Sequence, residues 1–199
     1  MKISLIAMDM DGTLLDKNQN ISEESAKQLI ALQEKGIRLA LVSGRVYHRL
    51  KRYVKQLKLE EYGGFLIEVN GMAINDLKHK KRTVFERLSV QQSRELFDLL
   101  RSYEVEVQFI KDDGIELYLP EPILEMKKQL RKTLHLPEDY PWTAGANSKL
   151  FDARDGYHYV HHIEDAKDIT TEINKVGIPA EADTLEQMMS CLLYTSRCV

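Results

Sequence analysis

The chain begins with an apolar run, Leu5-Ile6-Ala7-Met8, that stops abruptly at Asp9-Met10-Asp11-Gly12-Thr13. Such a run closed by turn residues predicts a buried strand. Residues 16–20 are polar and form a loop. Ser22 is a good helix N-cap, Glu23 and Glu24 suit a first helical turn, and Ala26, Leu29, Ile30 and Gln33 recur at helical spacing up to Gly36. Residues 37–42 form a second apolar strand, closed by Ser43-Gly44-Arg45, and 46–57 a basic helix. Residues 63–69 read as a third strand, and Asn70-Gly71 is the signal of a type I′ hairpin returning through 72–74. Alternation of strand and helix predicts an α/β fold with a parallel sheet.

From Thr83 the period changes. Ser89 and Gln92 have the spacing of a capping box, opening a helix with Leu96, Phe97, Leu99, Leu100 and Tyr103. Val105, Val107 and Phe109 then alternate with polar residues, Asp112-Asp113-Gly114 turns, and Ile115, Leu117 and Leu119 alternate again, predicting an amphipathic hairpin with one wet face. A helix over 123–134, a second hairpin over 149–154 and 157–163 about an Asp155-Gly156 turn, and a helix over 165–176 complete an α+β segment. The expected organisation is a core over 1–82, an insert over 83–190 and an aperiodic tail over 191–199.

Composition narrows the class. The 199 residues carry 28 Lys and Arg against 31 Asp and Glu, so no basic excess offers itself to nucleic acid. The densest basic cluster, His79-Lys80-Lys81-Arg82, reads as a solvated loop. Both cysteines, Cys191 and Cys198, lie in the final stretch, which leaves no disulfide framework or cysteine zinc site and suits a reducing compartment. No apolar run approaches the roughly 18 residues of a membrane helix, and the N-terminus lacks the design of a signal peptide. A cytoplasmic protein that binds neither membrane nor nucleic acid is expected.

The chemistry gathers at strand ends, where α/β sheets bind ligands. Residues two apart on extended backbone share a side, so Asp9 and Asp11 converge if the strand persists that far. Two anions in one place suit a shared cation such as Mg²⁺, with Gly12 allowing close approach and Thr13 offering a hydroxyl and an amide. Ser43-Gly44-Arg45 before a helix start has the makings of an anion site. His158 and His162 share a strand face with His161 opposite, and no acid lies at ligand spacing, so a wet strand face is the simpler reading.

Four apolar residues followed by Asp-x-Asp-Gly-Thr closely resemble the first motif of the haloacid dehalogenase-like (HAD) hydrolase superfamily, and Ser-Gly-Arg at the next strand end resembles the second motif of its Cof-like branch. The resemblance implies a Rossmann-like core carrying an inserted α+β cap of the C2 type, which closes over the core strand ends and selects the substrate. It implies an Mg²⁺-dependent phosphatase acting on a small phosphorylated metabolite through an aspartyl-phosphate, with Asp9 as nucleophile, Asp11 as general acid and base, and both at the metal. Gly12, Thr13, Ser43, Gly44, Arg45 and Asn70 fall to the substrate. A phosphomutase shares this chemistry, a C–halogen hydrolase would need no second acid, and a non-catalytic binding module could keep the fold alone.

Two further motifs of that family, a lysine and a second acidic strand end, have no counterpart here: Asp112-Asp113 lies in a hairpin turn and Glu164-Asp165 at a helix start. The expectation is a truncated chain with a foreign tail. The 199 residues alone should therefore show little or no Mg²⁺-dependent turnover of p-nitrophenyl phosphate. Robust turnover in that assay would refute the expectation.

Overall fold

The computed structural model describes residues 3–145, 148–154 and 156–195, the last six of them by backbone alone. The chain divides into two compact units, Met1–Arg87 and Leu88–Val199. In the first, β1 (Leu5–Asp9), α1 (Glu23–Glu34), β2 (Arg38–Val42), α2 (Tyr47–Gln56), α3 (Leu59–Tyr62), β3 (Phe65–Glu68), β4 (Ala73–Asp76) and β5 (Lys81–Val84) succeed one another in order. They form one sheet, β1-β2-β3-β4-β5, with β1, β2 and β3 parallel and the last two pairings antiparallel.

The helices form as their sequence dictates. The Ser22 side chain accepts from the Ser25 amide at 3.1 Å, and Gln33, near the other end of α1, donates to the Leu57 carbonyl at 2.8 Å. On α2, Leu50, Tyr53 and Val54 fall at the i, i+3, i+4 spacing of one face, and Leu57 just beyond continues it. That face packs with Ile6, Met8, Leu39, Leu41 and Leu66 of the sheet into a single apolar core. The opposite sheet face is uncovered at β1, although Ala40 of β2 on that face is buried. Leu5 is 45% exposed and Ala7 is exposed too, on a strand that among the described residues pairs with β2 alone; Ile3 just before it is 58% exposed.

Arg82 corrects the reading of the basic cluster as a loop. It sits in β5, and its Nε donates to the fully buried Glu68 at 2.7 Å. Asn70-Gly71 is not a two-residue I′ turn either: Glu68 pairs with Ala73, so four residues connect the strands, and Val69, Asn70 and Gly71 all have positive φ.

The second unit contains α4 (Val90–Leu100), β6 (Val107–Ile110), β7 (Gly114–Tyr118), α5 (Glu121–Thr133), β8 (Tyr159–His162), β9 (Lys175–Gly177) and α6 (Ala182–Thr195), with sheet order β8-β7-β6-β9. The capping box is complete: Ser89 Oγ accepts from the Gln92 amide and Gln92 Oε1 from the Ser89 amide. Phe97 and Leu100 of α4 then pack on Val107 and Phe109. The β6–β7 hairpin is as expected, but neither face is wet, because Gln108, Ile115, Glu116 and Leu117 are buried along with Phe109. Lys127 is likewise buried on α5. Its ammonium lies 2.5 Å from Glu106 and donates to the carbonyls of Trp142 and Lys149, while burial pushes its pKa down against the pull of Glu106.

Three expectations fail here. The second hairpin is replaced by β8 alone, which runs parallel to β7, with residues 149–154 outside any strand and Asp155 outside the described residues. The helix over 165–176 is a single 3₁₀ turn, Ala166–Asp168, followed by β9. There Asp165 and Asp168 cap each other's amides across three residues, and β-branched Ile169, Thr170, Thr171 and Ile173 disfavour continuation. The tail is not aperiodic throughout, since α6 runs to Thr195; residues 196–199, with Cys198, lie outside the described residues.

Among the described residues no helix is long and apolar enough to cross a membrane. Phe97 is fully buried between Phe109 and Tyr118, with ring centroids at 6.1 and 5.0 Å. Phe97→Ala should lower unfolding stability by about 3–5 kcal/mol in urea denaturation, a cost of cavity formation and lost transfer energy.

Candidate functional site

The first unit sets its polar residues at the carboxyl ends of β1, β2 and β3. Parallel register pairs Asp9 with Val42 and Val42 with Ile67, so Ser43 begins where β1 has just ended. The strand does not continue to Asp11. Met10 is buried and turns, its carbonyl accepting from the amides of Thr13, Leu14 and Leu15 at 3.3, 3.1 and 2.9 Å. Gly12 permits that turn with φ of +81° and open space around it. Asp9, Asp11, Gly12 and Thr13 are all exposed. The Asp9 carboxylate makes no hydrogen bond or ion pair among the described residues, whereas Asp11 is gripped.

The grip comes from Arg45. Its Nε donates to Asp11 Oδ2 at 3.1 Å and Nη2 lies 2.5 Å from Oδ1, a bidentate pair on a guanidinium only 11% exposed. The same Nη2 reaches Gln19 Oε1, also at 2.5 Å. Tyr53 hydroxyl donates to the Gln19 carbonyl at 2.8 Å and accepts from Arg52 at 2.6 Å. Arg45, expected at the substrate, thus spends its fork on Asp11, and Gln19 and Tyr53 hold the arginine. Sequence marks neither: Gln19 lies in a polar loop and Tyr53 in a helix that reads only as basic.

Ser43 is 4% exposed, and its Oγ accepts from the Arg45 amide at 3.2 Å, which leaves the hydroxyl proton free to donate. Gly44 beside it is exposed, as is Asn70. The loop bearing Ser43 is stitched to the turn bearing Asn70: the Asn70 amide donates to the Ser43 carbonyl and the Val69 amide to the Arg45 carbonyl, both at 3.1 Å. The expected anion site at the start of α2 differs in one respect. The Tyr47 amide donates to Glu68 Oε2 at 2.5 Å, so a carboxylate of the protein already occupies it. Burial, with Glu60 and Glu68 adding, pushes the Tyr47 phenol up.

The sequence matches a known family. Residues 6–193 match the model of haloacid dehalogenase-like hydrolases. The chain belongs to that family. It is 33% identical over 117 residues to the Bacillus subtilis protein YxeH, covering 58% of this chain and 42% of YxeH. It is 40% identical over 74 residues to the 5-amino-6-(5-phospho-D-ribitylamino)uracil phosphatase YcsE of Bacillus subtilis, covering 37% of this chain and 28% of that one. A haloacid dehalogenase-like hydrolase from Bacteroides thetaiotaomicron superposes with a TM-score of 0.68 at 26% identity, over 96% of this chain and 63% of that protein. The chain therefore spans less than half of the curated relatives' length over the matched stretches, and under two thirds of that structure.

Hydrolases of this family generally use Mg²⁺, and the donors here suit it. Asp9 offers a carboxylate free of protein partners among the described residues, and Asp11, its carboxylate taken by Arg45, offers its main-chain carbonyl. Among the described residues no three His, Cys, Asp or Glu side chains converge as a metal cluster. Mg²⁺ tolerates that, since it keeps several waters and takes one or two carboxylates together with phosphate. The histidines serve elsewhere: His161 Nδ1 lies 2.8 Å from Glu116, and burial, then His161, lowers the pKa of His162.

Tyr53→Phe removes the hydroxyl that fixes the Gln19 carbonyl. We expect a loss of about 1 kcal/mol in unfolding stability by urea titration, the usual worth of one such bond.

Proposed function

We propose that this hydrolase acts as a phosphatase on a small phosphorylated metabolite, with Asp9 as the nucleophile. The observation that carries the reading is the contrast between the two acids: Asp9 stands unpaired among the described residues at a strand end beside Ser43, while Asp11, two residues on, is oriented by a guanidinium. An unpaired carboxylate can attack phosphorus. Asp11 has both oxygens accepting from the Arg45 fork, so one of them must leave the fork before that carboxyl carries a proton to or from the reacting oxygen.

In this reading an Asp9 oxygen bonds to phosphorus as the bond to the leaving alcohol breaks, and Asp11 gives that alcohol its proton. Asp11 then takes a proton from the water that cleaves the aspartyl-phosphate, restoring both acids. Ser43 donates to an equatorial phosphoryl oxygen, and Gly12, Thr13 and Gly44 keep the backbone close to the phosphate. Asn70, exposed beside Ser43, contacts the substrate. Arg45 acts through Asp11. Mg²⁺, held by the Asp9 carboxylate and the Asp11 carbonyl, would neutralise charge between nucleophile and phosphate. The second unit takes the part of a substrate-selecting cap. YcsE, by its name, acts on a phosphorylated ribityl compound, which supports a phosphomonoester of a small polar metabolite.

Beryllofluoride, which mimics a phosphoryl group on aspartate, tests the assignment without requiring turnover. Fluorine NMR should show an Mg²⁺-dependent adduct on the wild-type chain that EDTA removes and Asp9→Asn abolishes with the fold intact. An adduct surviving Asp9→Asn would mean that the nucleophile is another residue.

A further inference from the structure

Glu68 lies 0% exposed at the end of β3, and no sequence motif marks it. Its Oε2 accepts from the Tyr47 amide at 2.5 Å; its Oε1 accepts from Asn75 Nδ2 at 2.8 Å and Arg82 Nε at 2.7 Å. One carboxylate therefore joins the start of α2 to β3, β4 and β5. The N-cap of α2 is Val46, which has no side-chain oxygen to offer, so Glu68 supplies from a distance the acceptor that a serine or aspartate would supply locally.

The contact is one of four that bind residues 43–47 to residues 67–70. The Ser43 amide donates to the Ile67 carbonyl at 2.9 Å, the Val69 amide to Arg45, and the Asn70 amide to Ser43. The template is strained. Val69 has φ of +49° and Asn70 of +58°, and a β-branched residue in the left-handed region is a genuine outlier. Strain of this kind persists only where the surroundings over-determine it. Glu68, immediately before Val69 and anchored on three elements, adds a side-chain anchor to the two backbone bonds that hold this turn.

We infer that Glu68 is a positioning residue: through the Tyr47 amide and the left-handed Val69-Asn70 turn, it sets the 43–47 loop in the one arrangement that aims the Ser43 hydroxyl at a phosphoryl oxygen and the Arg45 fork at Asp11. This rests on the phosphatase reading. It also fixes what holds the phosphate. The amide end of α2 is already matched by an internal anion, so a bound phosphoryl group depends on Ser43 and its neighbouring loop rather than on that helix.

Two measurements on the full 199-residue chain test it. Amide hydrogen exchange in Glu68→Ala should run at least tenfold faster at Ser43, Arg45, Tyr47, Val69 and Asn70, with β1 and α1 unchanged. Glu68→Gln, which keeps the shape and is the fallback if the alanine variant does not fold, should show the same local pattern and weaken beryllofluoride binding tenfold or more while melting cooperatively. Uniform acceleration across the first unit, or binding equal to wild type, overturns the inference. A wild-type chain that takes no beryllofluoride would instead defeat the phosphatase reading, and the exchange pattern would still decide whether Glu68 holds the loop.

Discussion

The parallel ladder between β1 and β2 is the constraint on which the first unit rests. Five register pairs, Leu5 with Arg38 through Asp9 with Val42, fix where both strands end. Because parallel neighbours end on the same side of a sheet, the residues just past Asp9 and Val42 are delivered to one edge. An acid-bearing turn leaves the first strand there, and a hydroxyl-bearing loop leaves the second. Met10 makes the turn abrupt by burying its side chain and closing three amides on its carbonyl. These polar residues are thus placed by backbone pairing, and side chains refine their setting.

Those refinements form two layers. Nearest the strand ends, Arg45 orders Asp11, and Gln19 with Tyr53 orders Arg45. Beneath them Glu68 ties α2 to β4 and β5. A carboxylate so fully buried is matched by donors on both oxygens, as the cost of desolvation demands. The same rule governs the second unit, where Lys127 pairs with Glu106 and Glu116 collects both Lys111 and His161.

The local signals were legible in proportion to how local their causes are. Ser22 and Ser89 announce helix starts because a cap needs only three neighbouring residues, and both form as read. The strand before Asp9 and the hairpin about Asp112-Asp113-Gly114 were equally plain. Residues 165–176 misled because their apolar positions permit a helical spacing, while Asn174 and Lys175 are drawn to the edge of β6 by a partner far away in sequence. Glu68 escaped notice for a related reason. A lone acid on a strand carries no motif, and its meaning comes from Tyr47, Asn75 and Arg82, which lie 21, 7 and 14 residues off. Likewise the wet face foreseen for β6 and β7 assumed that polar residues seek water, whereas Gln108 and Glu116 find partners inside.

The segment between Asp16 and Asn20 has the composition of a tolerant surface loop. Its backbone says otherwise: Asp16 accepts from the amides of Asn18 and Asn20, Gln19 adopts φ of +64°, and the Gln19 carbonyl is claimed by both Tyr53 and Arg52. Lengthening it would draw Gln19 Oε1 away from Arg45 and leave the guanidinium to Asp11 and Tyr53 alone. Insertions are accommodated where main-chain groups are unclaimed, and in this short stretch the main chain of Gln19 is claimed by two side chains of α2.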